Sequence, residues 1–123
     1  MPKRAGMTWA AVVRLALVFP GVEEGTAYGT PALRVRGRFM LRLREDKESL
    51  AVRCGFDERD FRLQADPATF FVTPHYHGYP AVLVHLTKVS PAVLREVLEE
   101  TWRVNAPKTL IKRFDGARAD GER

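Results

Sequence analysis

Cysteine is almost absent from this chain, with Cys54 alone among 123 residues. A single thiol excludes an internal disulfide framework and any multi-cysteine zinc site. Long apolar runs are missing as well. No stretch reaches the ~18 residues of a membrane span, and the best run, Trp9 to Phe19, is broken by Arg14. That run closes on Phe19-Pro20-Gly21 without a small-residue cleavage pattern, so it reads as a folded helix rather than a signal peptide. A cytoplasmic protein with no membrane partner is expected. There is no Gly-x-Ser-x-Gly elbow and no phosphate-binding glycine loop of the Walker or dinucleotide type. Glu23-Glu24 is an adjacent carboxylate pair, but neighbours in sequence need not share a site. No catalytic residue and no cofactor are assigned, and the chain is not read as an enzyme.

Repeats, linkers and shifts of composition are absent too, which points to one domain over residues 1–123 with flexible ends near 1–6 and 116–123. A hydrophobic fraction of 46% and a charged fraction of 28% exclude a disordered, collagen-like or coiled-coil chain. A chain of this length buries roughly two-thirds of its unfolded surface, enough for one core.

Acid is missing from one stretch in particular. Residues 31–44 hold five arginines and no carboxylate, so this stretch alone matches the net charge of +5 carried by the whole chain. Leu33, Val35, Phe39, Leu41 and Leu43 stand at odd positions, and Arg34, Arg36, Arg38, Arg42 and Arg44 at even ones. Period-two alternation marks half-buried strands. A three-residue loop, Arg36-Gly37-Arg38, keeps the apolar residues on one face by pairing Val35 with Phe39 and Leu33 with Leu41; a two-residue loop breaks the pattern. A second turn at residues 45–48 sets Leu43 opposite Leu50, Leu41 opposite Val52 and Phe39 opposite Cys54. The expectation is a three-stranded antiparallel meander with one oily face and one arginine face, joined by Arg53 from the third strand.

Helices are expected on either side. The first begins at Thr8 as cap, carries Trp9, Val12, Val13, Ala16 and Leu17 on one stripe, and stops at Pro20-Gly21. A short surface helix follows from Asp57, as cap, to Ala65. Thr69 to Thr73 reads as a short strand, and Ala81 to Thr87 as an apolar strand covered on both sides. Ser90-Pro91 opens a helix with Leu94, Val97, Leu98, Thr101 and Trp102 on one stripe. Asn105-Ala106-Pro107 breaks it before a last short helix with Leu110, Ile111 and Phe114. The fold class is α+β: one antiparallel sheet packed on one side by N-terminal and C-terminal helices.

Between the strands lies a loop rich in rings, Pro74 to Pro80, with His75, Tyr76, His77 and Tyr79. His75 and His77 offer only two alternating ligands, short of the three or four a metal needs, so no metal site is assigned. Cys54 has inward parity, and a buried thiol is inert.

These segments together resemble the MmcQ/YjbR family. The resemblance runs from Thr8-Trp9 to Phe114. It is carried by Phe19-Pro20-Gly21-Val22-Glu23-Glu24, Tyr28-Gly29-Thr30-Pro31-Ala32-Leu33-Arg34-Val35 and Arg36-Gly37-Arg38. Further pieces are Phe70-Phe71-Val72-Thr73-Pro74-His75-Tyr76, Gly78-Tyr79-Pro80, Val82-Leu83-Val84 and Ala106-Pro107-Lys108. It implies a CyaY-like α+β domain and a DNA-binding role through a double-wing arrangement of hairpins. It brings no catalytic motif. The acidic second turn, with Glu45, Asp46 and Glu48, does not suit a symmetric two-wing contact.

Two functional readings follow. In the first, the chain binds nucleic acid, with Arg34, Arg36, Arg38, Arg42, Arg44 and Arg53 meeting phosphate, because each guanidinium is a planar fork suited to phosphate oxygens. In the second, Tyr28, Thr30, His75, Tyr76, His77 and Tyr79 line a groove for a protein partner or an anionic small molecule.

Overall fold

Two turns of the same kind shape the sheet. Tyr28-Gly29 and Arg36-Gly37 each hold two consecutive positive φ angles, 54° and 80° in the first pair, 49° and 83° in the second. This is the signature of a type I′ hairpin, whose twist matches that of the strands it joins. The computed structural model describes residues 6–121, with side chains to Arg118. Residues 1–5 and 122–123, which include most of the expected flexible N-terminus and the extreme C-terminus, lie outside the described residues.

The elements are α1 (Trp9–Ala16), β1 (Val22–Ala27), β2 (Thr30–Val35), β3 (Arg38–Leu43), β4 (Ser49–Arg53), α2 (Phe56–Ala65), β5 (Phe70–Phe71), a 3-10 turn (Pro74–Tyr76), β6 (Ala81–His85), α3 (Pro91–Asn105) and α4 (Lys108–Gly121). The strands form one antiparallel sheet in the order β1-β2-β3-β4-β6-β5. β1 is an edge strand, with Glu23 and Glu24 exposed.

The inner face packs against α1 and α3. Leu33, Val35, Leu41, Leu50, Val52, Val82 and Val84 join Val12, Ala16, Leu94, Leu98 and Trp102 in one buried cluster, with Trp9 and Val13 partly buried against it. Thr8 caps α1 by accepting from the Ala11 amide, and Ser90 caps α3 by accepting from Val93, with Pro91 in the first turn. Trp102 packs against Phe19 and edge to face on Phe114, at 5.4 and 5.0 Å between ring centres, and its Nε1 donates to the Pro20 carbonyl.

Several expectations are corrected. The β2–β3 loop has two residues, not three, and a bulge absorbs the mismatch. Leu33 pairs with Leu41, but Arg34 pairs with Phe39 and Val35 with Arg38, which leaves Met40 as the extra residue. The bulge reverses the facing of everything before it on β3. Phe39 turns to the outer face beside Arg34, and fully buried Met40 takes its place in the core. The Met40 carbonyl, displaced from the ladder, accepts from the Thr101 hydroxyl at 3.2 Å, which explains a polar residue in the middle of the α3 stripe. Beyond the bulge the expected register holds, with Leu41 opposite Val52 and Leu43 opposite Leu50.

Leu17 caps the end of α1 and is half exposed rather than widening its stripe. Gly55, not Asp57, is the cap position of α2, without a side-chain bond; Asp57 lies in the first turn. The strand expected over Thr69 to Thr73 is only Phe70–Phe71. α4 continues through Gly121, into the stretch expected to fray. None of the described helices is long and apolar enough to cross a membrane.

Candidate functional site

The outer face of the sheet is not a plain arginine face. Arg42 on β3 stands opposite Ala32 and Ala51, and Ala51 stands opposite Leu83. All three of these apolar residues are buried. They form a thin apolar layer beneath the ring-rich loop, so β6 is covered on both sides as its sequence suggested. Arg42 lies across this layer and is itself only 7% exposed.

Arg42 is therefore a tether. Its Nη2 donates to the Tyr76 phenolic oxygen at 2.9 Å, and its Nη1 donates to Thr30 Oγ1 at 3.2 Å and Glu45 Oε2 at 3.3 Å. Its guanidinium also lies 5.2 Å from the centre of the Tyr28 ring. Burial works against the charge, but the Tyr76 and Glu45 contacts outweigh it and hold the pKa above its ordinary value. Glu45 is held below the usual carboxylate range by its own amide first and then by Arg42. The expectation that Arg42 faces solvent is thus corrected: the apolar layer and the ring loop cover it.

The ring loop is fastened from three sides. Besides the Arg42–Tyr76 bond, Arg59 on α2 donates through Nη1 to the His77 carbonyl at 2.8 Å, and the Cys54 amide donates to the Pro80 carbonyl at 2.9 Å. Arg59 was missed in the sequence because α2 shows a weakly patterned, charged surface, with nothing to single out one arginine for burial. Arg62 is buried on the same helix, against Glu58, Glu96 and Glu100. Burial pushes the Cys54 thiol up to about 11, as suits an inert side chain.

Between the Tyr28 turn and the ring loop runs an open groove of about 740 Å³. Its floor comprises Arg34, Phe39, Arg42, Ala51, Arg53 and Ala81, and its walls are Tyr28 on one side and His75, Tyr76, Tyr79 and Pro80 on the other. The two small alanines of β4 and β6 make the depth. Tyr28 is 84% exposed and Tyr79 is 56% exposed, so the walls present open ring surface. Arg34 donates to the Thr26 carbonyl and leans on Phe39, while Arg53 is exposed. Neither pairs with a carboxylate within the described residues, although Glu23 stands opposite Arg34 in the ladder.

The six arginines singled out in the sequence therefore divide. Arg34, Arg42 and Arg53 meet in the groove. Arg44 packs over Phe71 and Tyr76 and donates to Ser49 Oγ, with Asp46 at 3.8 Å. Arg36 and Arg38 are exposed at the β2–β3 turn, outside the groove, and make no ion pair with described residues. Of the ring-groove candidates, Tyr28, His75, Tyr76 and Tyr79 line the walls. Thr30 lies behind Tyr28, donating to the Ala27 carbonyl and accepting from Arg42. His77 is exposed beside the groove, and His85 stacks on Phe71 at 4.1 Å. Among the described residues no three His, Cys, Asp or Glu side chains gather as metal ligands would.

Comparison with known proteins gives two findings. A family model described as YjbR matches residues 17–104, from the end of the first helix to the end of α3. The chain is also similar to uncharacterized proteins of Mycobacterium bovis and Mycobacterium tuberculosis, at 42% identity over 66 residues. That alignment covers 53% of this chain and 51% of each relative, so the chain spans about half the length of the curated relatives it matches.

Proposed function

The chain belongs to the YjbR family, and we propose that it binds nucleic acid through the groove on the outer face of its sheet. One observation carries this reading: two arginines with no carboxylate partner among the described residues, Arg34 and Arg53, lie between walls of exposed tyrosine rings. Guanidinium groups meet phosphate oxygens, and such contacts release counterions, so they give affinity that falls with added salt. Arg36 and Arg38 stand apart from the groove at the β2–β3 turn, where the bulge sets Arg38 opposite inward-facing Val35. Arg42 holds the site together rather than meeting phosphate, since both its terminal nitrogens are engaged by Thr30, Glu45 and Tyr76; Arg44 lies outside the groove, packed over Phe71 and Tyr76.

The test is fluorescence anisotropy with a labelled oligonucleotide over a range of salt concentrations. Wild-type protein binds at low salt, and log affinity falls linearly with log salt. Arg34→Met with Arg53→Met together lower the magnitude of that slope by about 1.5–2 and leave the fold intact. Unchanged binding by the double variant moves the contact elsewhere.

The groove volume of about 740 Å³ also supports a second reading, a non-enzymatic module for an anionic small molecule, since such sites span about 300–1,000 Å³. A mononucleotide that binds as tightly as the oligonucleotide favours that reading.

A further inference from the structure

We infer that the groove takes unpaired bases, so that its ligand is a single strand rather than a duplex; this rests on the nucleic-acid reading above. Tyr28 carries the inference. It occupies the first position of a type I′ turn at φ 54°, in the left-handed region where a bulky residue is an outlier and asparagine is at home. Its ring is 84% exposed, yet it does not swing free: the Arg42 guanidinium lies 5.2 Å from the ring centre and is itself tethered to Thr30 and Tyr76. A large ring in a strained backbone, open to solvent and held in place by a buried cation, gains the fold little. It gains a planar ligand a platform.

The opposite wall repeats the offer. Tyr79 is 56% exposed and set against His75, which in turn meets Tyr76 edge to face. The backbone carbonyls of His77 and Tyr79 are both bound by Arg59, so this wall is fixed as well. Between the walls, Arg34 and Arg53 supply the cations on a floor lowered by Ala51 and Ala81. Rings flanking a cationic floor are the arrangement that stacks successive bases while the phosphates follow the charge. A duplex hides its base faces in its own stack, so it can use the arginines and not the rings.

The experiment measures anisotropy with three labelled probes at low salt: a thymidylate dodecamer, a uridylate dodecamer and a twelve-base-pair duplex. The variants are Tyr28→Asn, which suits the turn, Tyr79→Ala and Arg53→Met, each checked by thermal melting. At least one single strand is expected to bind about tenfold or more tightly than the duplex. Which of the two strands does so separates DNA from RNA as the source. Tyr28→Asn and Tyr79→Ala each weaken single-strand binding by about tenfold and leave duplex binding and the salt slope unchanged. Tyr28→Asn melts at or above the wild-type temperature. Arg53→Met weakens every probe. Duplex binding as tight as that of both single strands, or tyrosine variants that bind like wild type, overturns the inference while leaving the phosphate reading standing. Absence of binding to all three probes overturns both.

Discussion

Replacing Arg42 by Met separates a tether from a surface charge. Met keeps most of the aliphatic stem beside Ala32 and Ala51 and removes only the guanidinium. Four interactions go with it: the Tyr76 bond at 2.9 Å, the Thr30 bond at 3.2 Å, the Glu45 ion pair at 3.3 Å and the contact with the Tyr28 ring. A hydrogen bond to a buried charged group contributes about 1.5–3 kcal/mol, and the ring contact about 0.5–1 kcal/mol. These do not simply add. Thr30 keeps its bond to the Ala27 carbonyl, and the single Nη1 is shared with Glu45, whose solvated carboxylate adds little. Relief of guanidinium desolvation also runs the other way. The net expectation is a loss of about 1–2 kcal/mol, or roughly 4–8 °C in melting temperature for a domain of this size. Arg53→Met is the control: its exposed side chain has no ion pair among the described residues, and its loss stays within about 0.5 kcal/mol. The assay is thermal melting followed by circular dichroism, with urea titration at fixed temperature to check that the slope is unchanged. An Arg42→Met variant that melts with Arg53→Met refutes the tether and returns Arg42 to the solvated face.

Thr101→Val keeps the side-chain shape but leaves the Met40 carbonyl at the bulge without its donor; a loss of about 1–3 kcal/mol is expected in urea unfolding. Acid titration should expose the β3–β4 turn. Burial tends to raise the Asp46 carboxyl, but the Glu48 amide and the Ser49 hydroxyl and amide outweigh it and hold it below its ordinary value. A lowered carboxylate pKa adds stability that is present above the unfolded value of about 3.9 and is lost as pH falls through the folded value. The melting gap between wild type and Asp46→Asn is therefore widest near neutrality and narrows below about pH 4; a gap constant with pH counts against the turn.

Much of the sheet was legible because parity is a strict code. Leu41 with Val52 and Leu43 with Leu50 follow from alternation alone, and Ser90-Pro91 announces its helix by cap chemistry. The bulge was not legible. Its cause is an agreement between distant residues, a two-residue turn at Arg36-Gly37 and a hydroxyl at Thr101 ready for one displaced carbonyl. Alternation sees neither, so Phe39 was expected inside and Met40 outside. The burial of Arg42 was hidden for a similar reason. A strand's outward parity says which way a side chain leaves the sheet, not what covers it, and the cover here comes from residues 76–80. The arginine face and the ring groove were separate ideas in the sequence because only the fold brings Tyr28, Arg53 and Tyr79 around one space.

The sheet's two borders also govern how copies of the chain meet. An open border is a template on which another strand can pair, and growth by that route ends in fibres. At one border β5 is two residues long and lies beside α2, too short to nucleate such pairing. At the other, β1 is six residues long and pairs on its outer side with no other strand among the described residues, its Thr26 carbonyl accepting from Arg34, and there the adjacent carboxylates of Glu23 and Glu24 point to opposite faces. A second copy adding antiparallel along β1 with Glu23 opposite Glu24 would bring acid against acid on both sides of the new sheet. The pair that suggested no chemistry in the sequence thus places like charges at the longer of the sheet's two borders, where another strand would have to pair.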